Sequence, residues 1–321
     1  MREVRRRPPG EACPLIKNGT VAGEDVLRFR NLRLAWAEAT AENKIPSHDR
    51  EWKRRKTELS VREAVEAMGV DNVLGPEKAA ATFGLDIESL EIPPVPFSVA
   101  EIERAGELGQ FLVFRVSKAE DGGQLSMKKM DEVLSWRFET EGKGTVLSAT
   151  SGWCKNDPFF AAMVPNDGWA LVSREVVPGT TSKDYLEQTD ELIRYLKEEV
   201  FQGRALPQES VAAIEEFQAV RPQIAALIYS DSNWLDGAER LEALKITRLL
   251  RPSPVEMMYD EMLAYDHASV RGRSDVRTWT SGRSDMGGFV LAGRAGKEGL
   301  FFFEHMPDGG DASLGAVFAR R

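Results

Sequence analysis

Ten of the chain's 27 glycines fall between Gly272 and Gly315, and they separate three short apolar runs at residues 289–292, 300–303 and 314–318. Each glycine inside a helix costs roughly 1 kcal/mol relative to alanine. Short strands joined by irregular turns accommodate such a pattern readily. No helix fits after Arg271, so the end of the chain is expected to form small antiparallel strands. Successive side chains on a strand face opposite ways. In Leu300-Phe301-Phe302-Phe303 this lets Leu300 and Phe302 enter a core while Phe301 and Phe303 point outward; ordinary core packing of the whole run is the alternative, and a slip of one residue would exchange the two sets.

The residues before this ending read differently. From 182 to 268 the apolar positions follow helical spacing. Ser182 is expected to begin a helix with Leu186, Leu192, Ile193, Leu196 and Val200 inward, ended by Gly203 and Pro207. A second helix carries Val211 to Ile228 with a bend at Pro222, and a third carries Leu241 to Leu250. Ser253-Pro254-Val255-Glu256 is a strong helix start: serine caps, proline suits the first turn, and glutamate reaches back. That fourth helix should run to about His267.

Residues 98–180 are mixed, with strands expected at 111–116 and 169–172 and a helix capped by Ser126 between them. Upstream, residues 24–40 have an imperfect helical period, and Ser60 with Glu63 forms a capping box before a helix that Gly69 stops. The proline-rich stretch 92–97 cannot continue a helix and marks a boundary. These readings divide the chain into a basic, mainly helical region (1–97), a mixed region (98–180), a helical region (181–270) and a β-rich ending (271–321). The fold class is α+β.

Charge is distributed unevenly along the 321 residues. Residues 1–56 hold 14 Lys+Arg against 8 Asp+Glu, whereas the remainder holds 28 against 43, for a net charge of -9. A basic arm of this kind can make weak, salt-sensitive contact with nucleic acid or an acidic partner. The two cysteines argue against a disulfide framework and fit a reducing compartment. No run approaches the roughly 18 apolar residues of a membrane span, and the MREVRRRPPG start lacks a signal-type apolar stretch. A cytoplasmic protein without membrane contact is expected.

Little here nominates catalysis. His48, His267 and His305 have no ligand-type spacing, Cys154 beside Trp153 reads as a packed thiol, and no phosphate-binding glycine fingerprint occurs. No metal or cofactor is expected.

The ending carries a further signal. Thr278-Trp279-Thr280-Ser281-Gly282-Arg283-Ser284, then Gly287-Gly288-Phe289-Val290-Leu291-Ala292-Gly293, Gly299-Leu300, Pro307-Asp308, and Leu314-Gly315-Ala316-Val317-Phe318-Ala319-Arg320 follow in this order. This order resembles the C-terminal variable region of diversity-generating retroelement target proteins. Those regions are similar to the C-type lectin fold, as found also in formylglycine-generating enzymes. The resemblance implies a fixed scaffold with a diversified, ligand-binding surface that engages a protein or other macromolecule. It places Arg283, Arg294, Ala295, Lys297, Glu298, Phe301, Phe303, His305, Met306, Asp308, Gly309, Asp311 and Ala312 on that surface. Trp279, Gly288, Leu314, Gly315 and Phe318 would hold the scaffold. Formylglycine-type chemistry needs cysteines in the C-terminal core, and none follows Cys154. Two alternatives are a nucleic-acid-associated or regulatory adaptor using residues 1–56 and an enzyme of the formylglycine-generating type.

Overall fold

The structure, a computed structural model, describes residues 59–267, 276–293 and 296–321. The helix expected at 24–40, both basic clusters, Cys13, His48, Arg294 and Ala295 lie outside the described residues. Within them the protein is a mixed helix-and-sheet molecule with two mixed four-stranded sheets.

Local signals start most of the helices. Ser60 and Glu63 close a capping box on α1 (Val61–Met68), which leads through β1 (Val73–Leu74) to α2 (Pro76–Phe83). A second box, Ser98 with Glu101, opens α3 (Val99–Glu107), followed by β2 (Gln110–Arg115). The Ser126 hydroxyl accepts from Lys129 N to start α4 (Met127–Thr140). After a 3-10 segment (Ala149–Asn156) come α5 (Pro158–Ala162) and β3 (Gly168–Ser173).

The expected helix at Ser182 begins instead at α6 (Tyr185–Tyr195), because Asp184 and Glu187 form the box and Ser182 is turned out at φ 62. A π-turn (Leu196–Val200) extends it. Next are α7 (Gln208–Ile228), with Pro222 inside it, α8 (Trp234–Ala243) and α9 (Lys245–Leu250). The third expected helix is thus two, broken where Leu244 adopts extended backbone. Ser253 and Glu256 box the start of α10 (Pro254–His267) as its sequence indicates.

The remaining strands are β4 (Arg277–Arg283), β5 (Phe289–Ala292), β6 (Phe302–His305), β7 (Leu314–Gly315) and β8 (Ala319–Arg320). One sheet has the order β6-β5-β4-β7 and the other β1-β2-β3-β8. The expectation of purely antiparallel strands after Arg271 is corrected: β7 runs parallel to β4, and β8 crosses to pair with β3 at Leu171–Arg320 and Val172–Ala319.

Glu58–Arg321 form one compact unit, which spans the positions 97, 180 and 270 where boundaries were expected. The C-terminal sheet accounts for this. Along β5 the side chains alternate between two cores. Val290 and Ala292 join Phe302, Met258, Tyr259 and Met262 in one, while Phe289 and Leu291 join Trp279, Tyr185, Leu192 and Phe318 in the other. The sheet is therefore a middle layer buried on both faces.

A buried ionic network ties the chain's last residue into this assembly. Arg115 donates to both carboxylate oxygens of Asp260, and Glu256 accepts from Arg321 at 2.6 and 2.7 Å and from Asn166 at 2.8 Å. Arg115 Nη1 lies 3.1 Å from Glu256, close enough for charge pairing but not aligned as a hydrogen bond. Among the described residues, no helix is long and apolar enough to cross a membrane.

Candidate binding surface

Strand β6 lies at the edge of the C-terminal sheet, and side chains close its outer side in place of another strand. Phe302 N donates to Ser151 Oγ at 2.8 Å, and Trp153 Nε1 donates to Phe302 O at 3.2 Å. Such covering removes a free edge that could pair with other chains. It also sets the rotation of β6. Phe302 and Leu300 are fully buried, while Phe301 and Phe303 emerge half-buried on the rim with their rings edge to face, 3.9 Å between centroids.

The Arg277 guanidinium lies 5.6 Å from the centre of the Phe303 ring and also bonds Asp311 at 2.9 Å and Ser313 at 2.7 Å. Donation from the Ser313 hydroxyl and main chain, with the nearby Arg277 charge, holds the Asp311 carboxyl below its ordinary range. His305 projects from the same face as Phe303, with its ring edge-on to Trp279 at 6.0 Å and Nδ1 3.1 Å from Met306 O. Gly309 packs against this ring, where an added Cβ would come within 2.3 Å of it. The turn beyond is fastened to the start of α6 by Tyr185 N to Pro307 O and Ser182 N to Asp311 O, both 3.0 Å. Met306, Asp308, Asp311 and Ala312 are exposed along it.

Phe301, Phe303, His305, Gly309 and Asp311 thus gather around Arg277 and the adjoining turn. Arg283 does not join them, because its Nε donates to Glu242 on α8 at 2.9 Å. Lys297 and Glu298 are exposed on a separate loop that crosses residues 144–148. All five expected scaffold residues, Trp279, Gly288, Leu314, Gly315 and Phe318, are buried.

No protein-family model matches this chain. Likewise no curated protein and no solved structure matches it.

Sequence reasoning missed Arg277, whose partner Asp311 is 34 positions away, and it missed Ser151 and Trp153, which lie about 150 positions from β6. Only Arg277's position two residues before Trp279, on one strand face, hinted at its place. Cys154 has no reactive character: it is buried, its thiol lies 2.9 Å from Ser151 O, and desolvation pushes its pKa up to about 12. Among the described residues, no group of three or more His, Cys, Asp or Glu is placed to hold a metal ion.

Proposed function

We propose that this is a binding protein that presents a changeable set of side chains on a lectin-like C-terminal scaffold and is diversified by a retroelement. The observation that carries the reading is a division by burial. None of the eleven described residues expected on the surface is buried, whereas all five expected scaffold residues are. A position can vary without unfolding the protein only where its side chain carries little of the core. The Phe301–Phe303 pair, flanked by Arg277, His305 and Met306, has the aromatic and arginine character of interface anchors, which favours a protein or other macromolecular partner. Binding of this kind requires neither turnover nor a cofactor, and a lectin-like scaffold does not by itself imply a sugar ligand.

Two measurements test this. Sequencing the DNA that flanks the gene should reveal a near-copy of its 3′ end, differing chiefly at template adenines, beside a reverse transcriptase gene. Their absence would remove the retroelement. Independently, a library randomised at Phe301, Phe303, His305, Met306, Asp308, Asp311 and Ala312 should yield mostly folded variants by thermal melting. A library that mostly fails to fold would place these residues in the core and end the display reading. The basic balance of residues 1–56 favours an additional weak contact with nucleic acid. Affinity for unrelated DNA should then fall steeply with salt and vanish when the arm is deleted.

A further inference from the structure

The loop carrying Lys297 and Glu298 does not stand alone. Residues 144–148 run alongside it through a bend at Val146: Thr145 N donates to Lys297 O at 3.1 Å, Leu300 N to Val146 O at 2.8 Å, and Ser148 N to Leu300 O at 2.9 Å. This is a parallel bridge between Leu147 and Leu300. In such a bridge the flanking residues 146 and 148 supply the bonds to Leu300, so the N–H and C=O of Leu147 project to the opposite side. Neither group has a hydrogen-bond partner among the described residues.

Leu147 also lines a cleft of about 620 Å³, within the range of ligand sites. One wall is the continuous run 144–149, and the other is the face of α4 bearing Asp131, Ser135 and Glu139, spaced four residues apart. Leu147 lines this cleft and is 8 % exposed. Hidden and unpaired, its main-chain groups would cost about as much as a lost hydrogen bond.

The charges in the cleft are unbalanced. Lys155 is neutralised by Asp131 at 2.7 Å, which also accepts from Ser135. Glu139 is exposed and has no ion-pair partner among the described residues. An added Cβ at Gly152 would meet nothing within 4 Å, so that wall is open.

We propose that this cleft docks an extended peptide segment carrying a lysine or arginine. Its main chain would pair with Leu147 by strand addition, and its cation would meet Glu139. The donor and acceptor that Leu147 offers side by side match the main chain of an extended segment, which distinguishes this occupant from a compact small molecule. The site lies outside the positions expected to vary and does not depend on the retroelement reading.

The test is selection of a displayed random octapeptide library on the full chain, followed by fluorescence anisotropy with the selected peptides. Binders should be extended sequences enriched in Lys or Arg. One of the two alternating backbone N-methylated forms of a binder should weaken about tenfold, the scale of a lost hydrogen bond or two. Ser135→Phe, at an exposed helix position, should abolish binding while leaving the melting temperature unchanged. Glu139→Gln should weaken only the basic peptides, by about fivefold. Phe301→Ala with Phe303→Ala should have no effect, and the Leu147 amide should exchange with solvent at least about tenfold more slowly in the complex. The proposal is overturned if no peptide is selected, if neither N-methylated form loses affinity, if folded Ser135→Phe still binds, or if binding requires Phe301 and Phe303.

Discussion

Trp279 and Phe303 face the same side of one sheet, yet removing them should have different effects. The Trp279 indole is fully buried, edge-on to Tyr185 at 5.4 Å and to Phe289 at 6.3 Å. Trp279→Ala is expected to cost about 3–5 kcal/mol, as for large core truncations. Phe303→Ala, at the half-buried rim, should cost about 1 kcal/mol, a typical value for a mild substitution. Urea unfolding of the two variants measures the difference, and equal losses would make the rim part of the core. Glu256 sets an acid limit on stability. Burial pushes its carboxyl up, but Arg115, Arg321 and donors from Asn166 and Ser253 outweigh this and bring its pKa to about 2. A pKa lowered on folding stabilises the folded state above the unfolded value near 4.5, and that stability is lost as pH falls towards 2. Thermal melts should therefore show little pH dependence from this group between pH 7 and 5, where its contribution is fully present, and a decline below about 4.5 that Glu256→Gln removes. Asp260→Ala should cost about 3–5 kcal/mol at neutral pH by leaving part of the buried Arg115 charge unpaired.

Among the elements, the 3-10 segment Ala149–Asn156 and the loop ending at Gly299 together seat β6. Gly299 has φ 87, and an added Cβ would stand 2.3 Å from the Leu147 carbonyl carbon. Backbone strain and contact therefore act together, and Gly299→Ala should lose about 1–3 kcal/mol or shift the loop. Cys154 reports on the same region without perturbing it. In a Cys13→Ser background at pH 8, its thiol should react with Ellman's reagent only as fast as the protein opens, because burial both hides the sulfur and disfavours the thiolate. Immediate reaction under native conditions would show that the segment does not seal the β6 edge.

At the scale of the molecule, the placement of the C-terminal sheet changes how its function can be tested. Truncation after Ser269 would remove Val290, Ala292, Leu300 and Phe302 from one core and Trp279, Phe289, Leu291 and Phe318 from the other. The shortened chain should lack a cooperative thermal transition, and a sharp transition at the wild-type temperature would contradict the middle-layer arrangement. Loss of partner binding on truncation would therefore say nothing about the rim. Point substitutions at Phe301, Phe303 and His305 are the informative variants.

Much of the local structure was legible because its causes are local. The boxes at Ser60–Glu63 and Ser253–Glu256, the Ser126 cap, the strands around residues 111–116 and 169–172, and the alternation of Leu300, Phe301, Phe302 and Phe303 all depend on residues a few positions apart. Helices α2 and α3 went unread although α3 has a full capping box, because a proline-rich stretch beside it looked like a boundary. The short apolar run at 289–292 marked a strand but could not reveal that its two faces are buried in different cores. The crossing of β8 to β3, the Arg277–Asp311 contact and the sealing of β6 by Ser151 and Trp153 join residues from 34 to about 150 positions apart. Hydrogen-bonding capacity and side-chain character determined which elements this chain could form. Only packing in three dimensions decided which sheet each final strand joined and which phenylalanines reached the surface, because those outcomes depend on shared volume between distant segments.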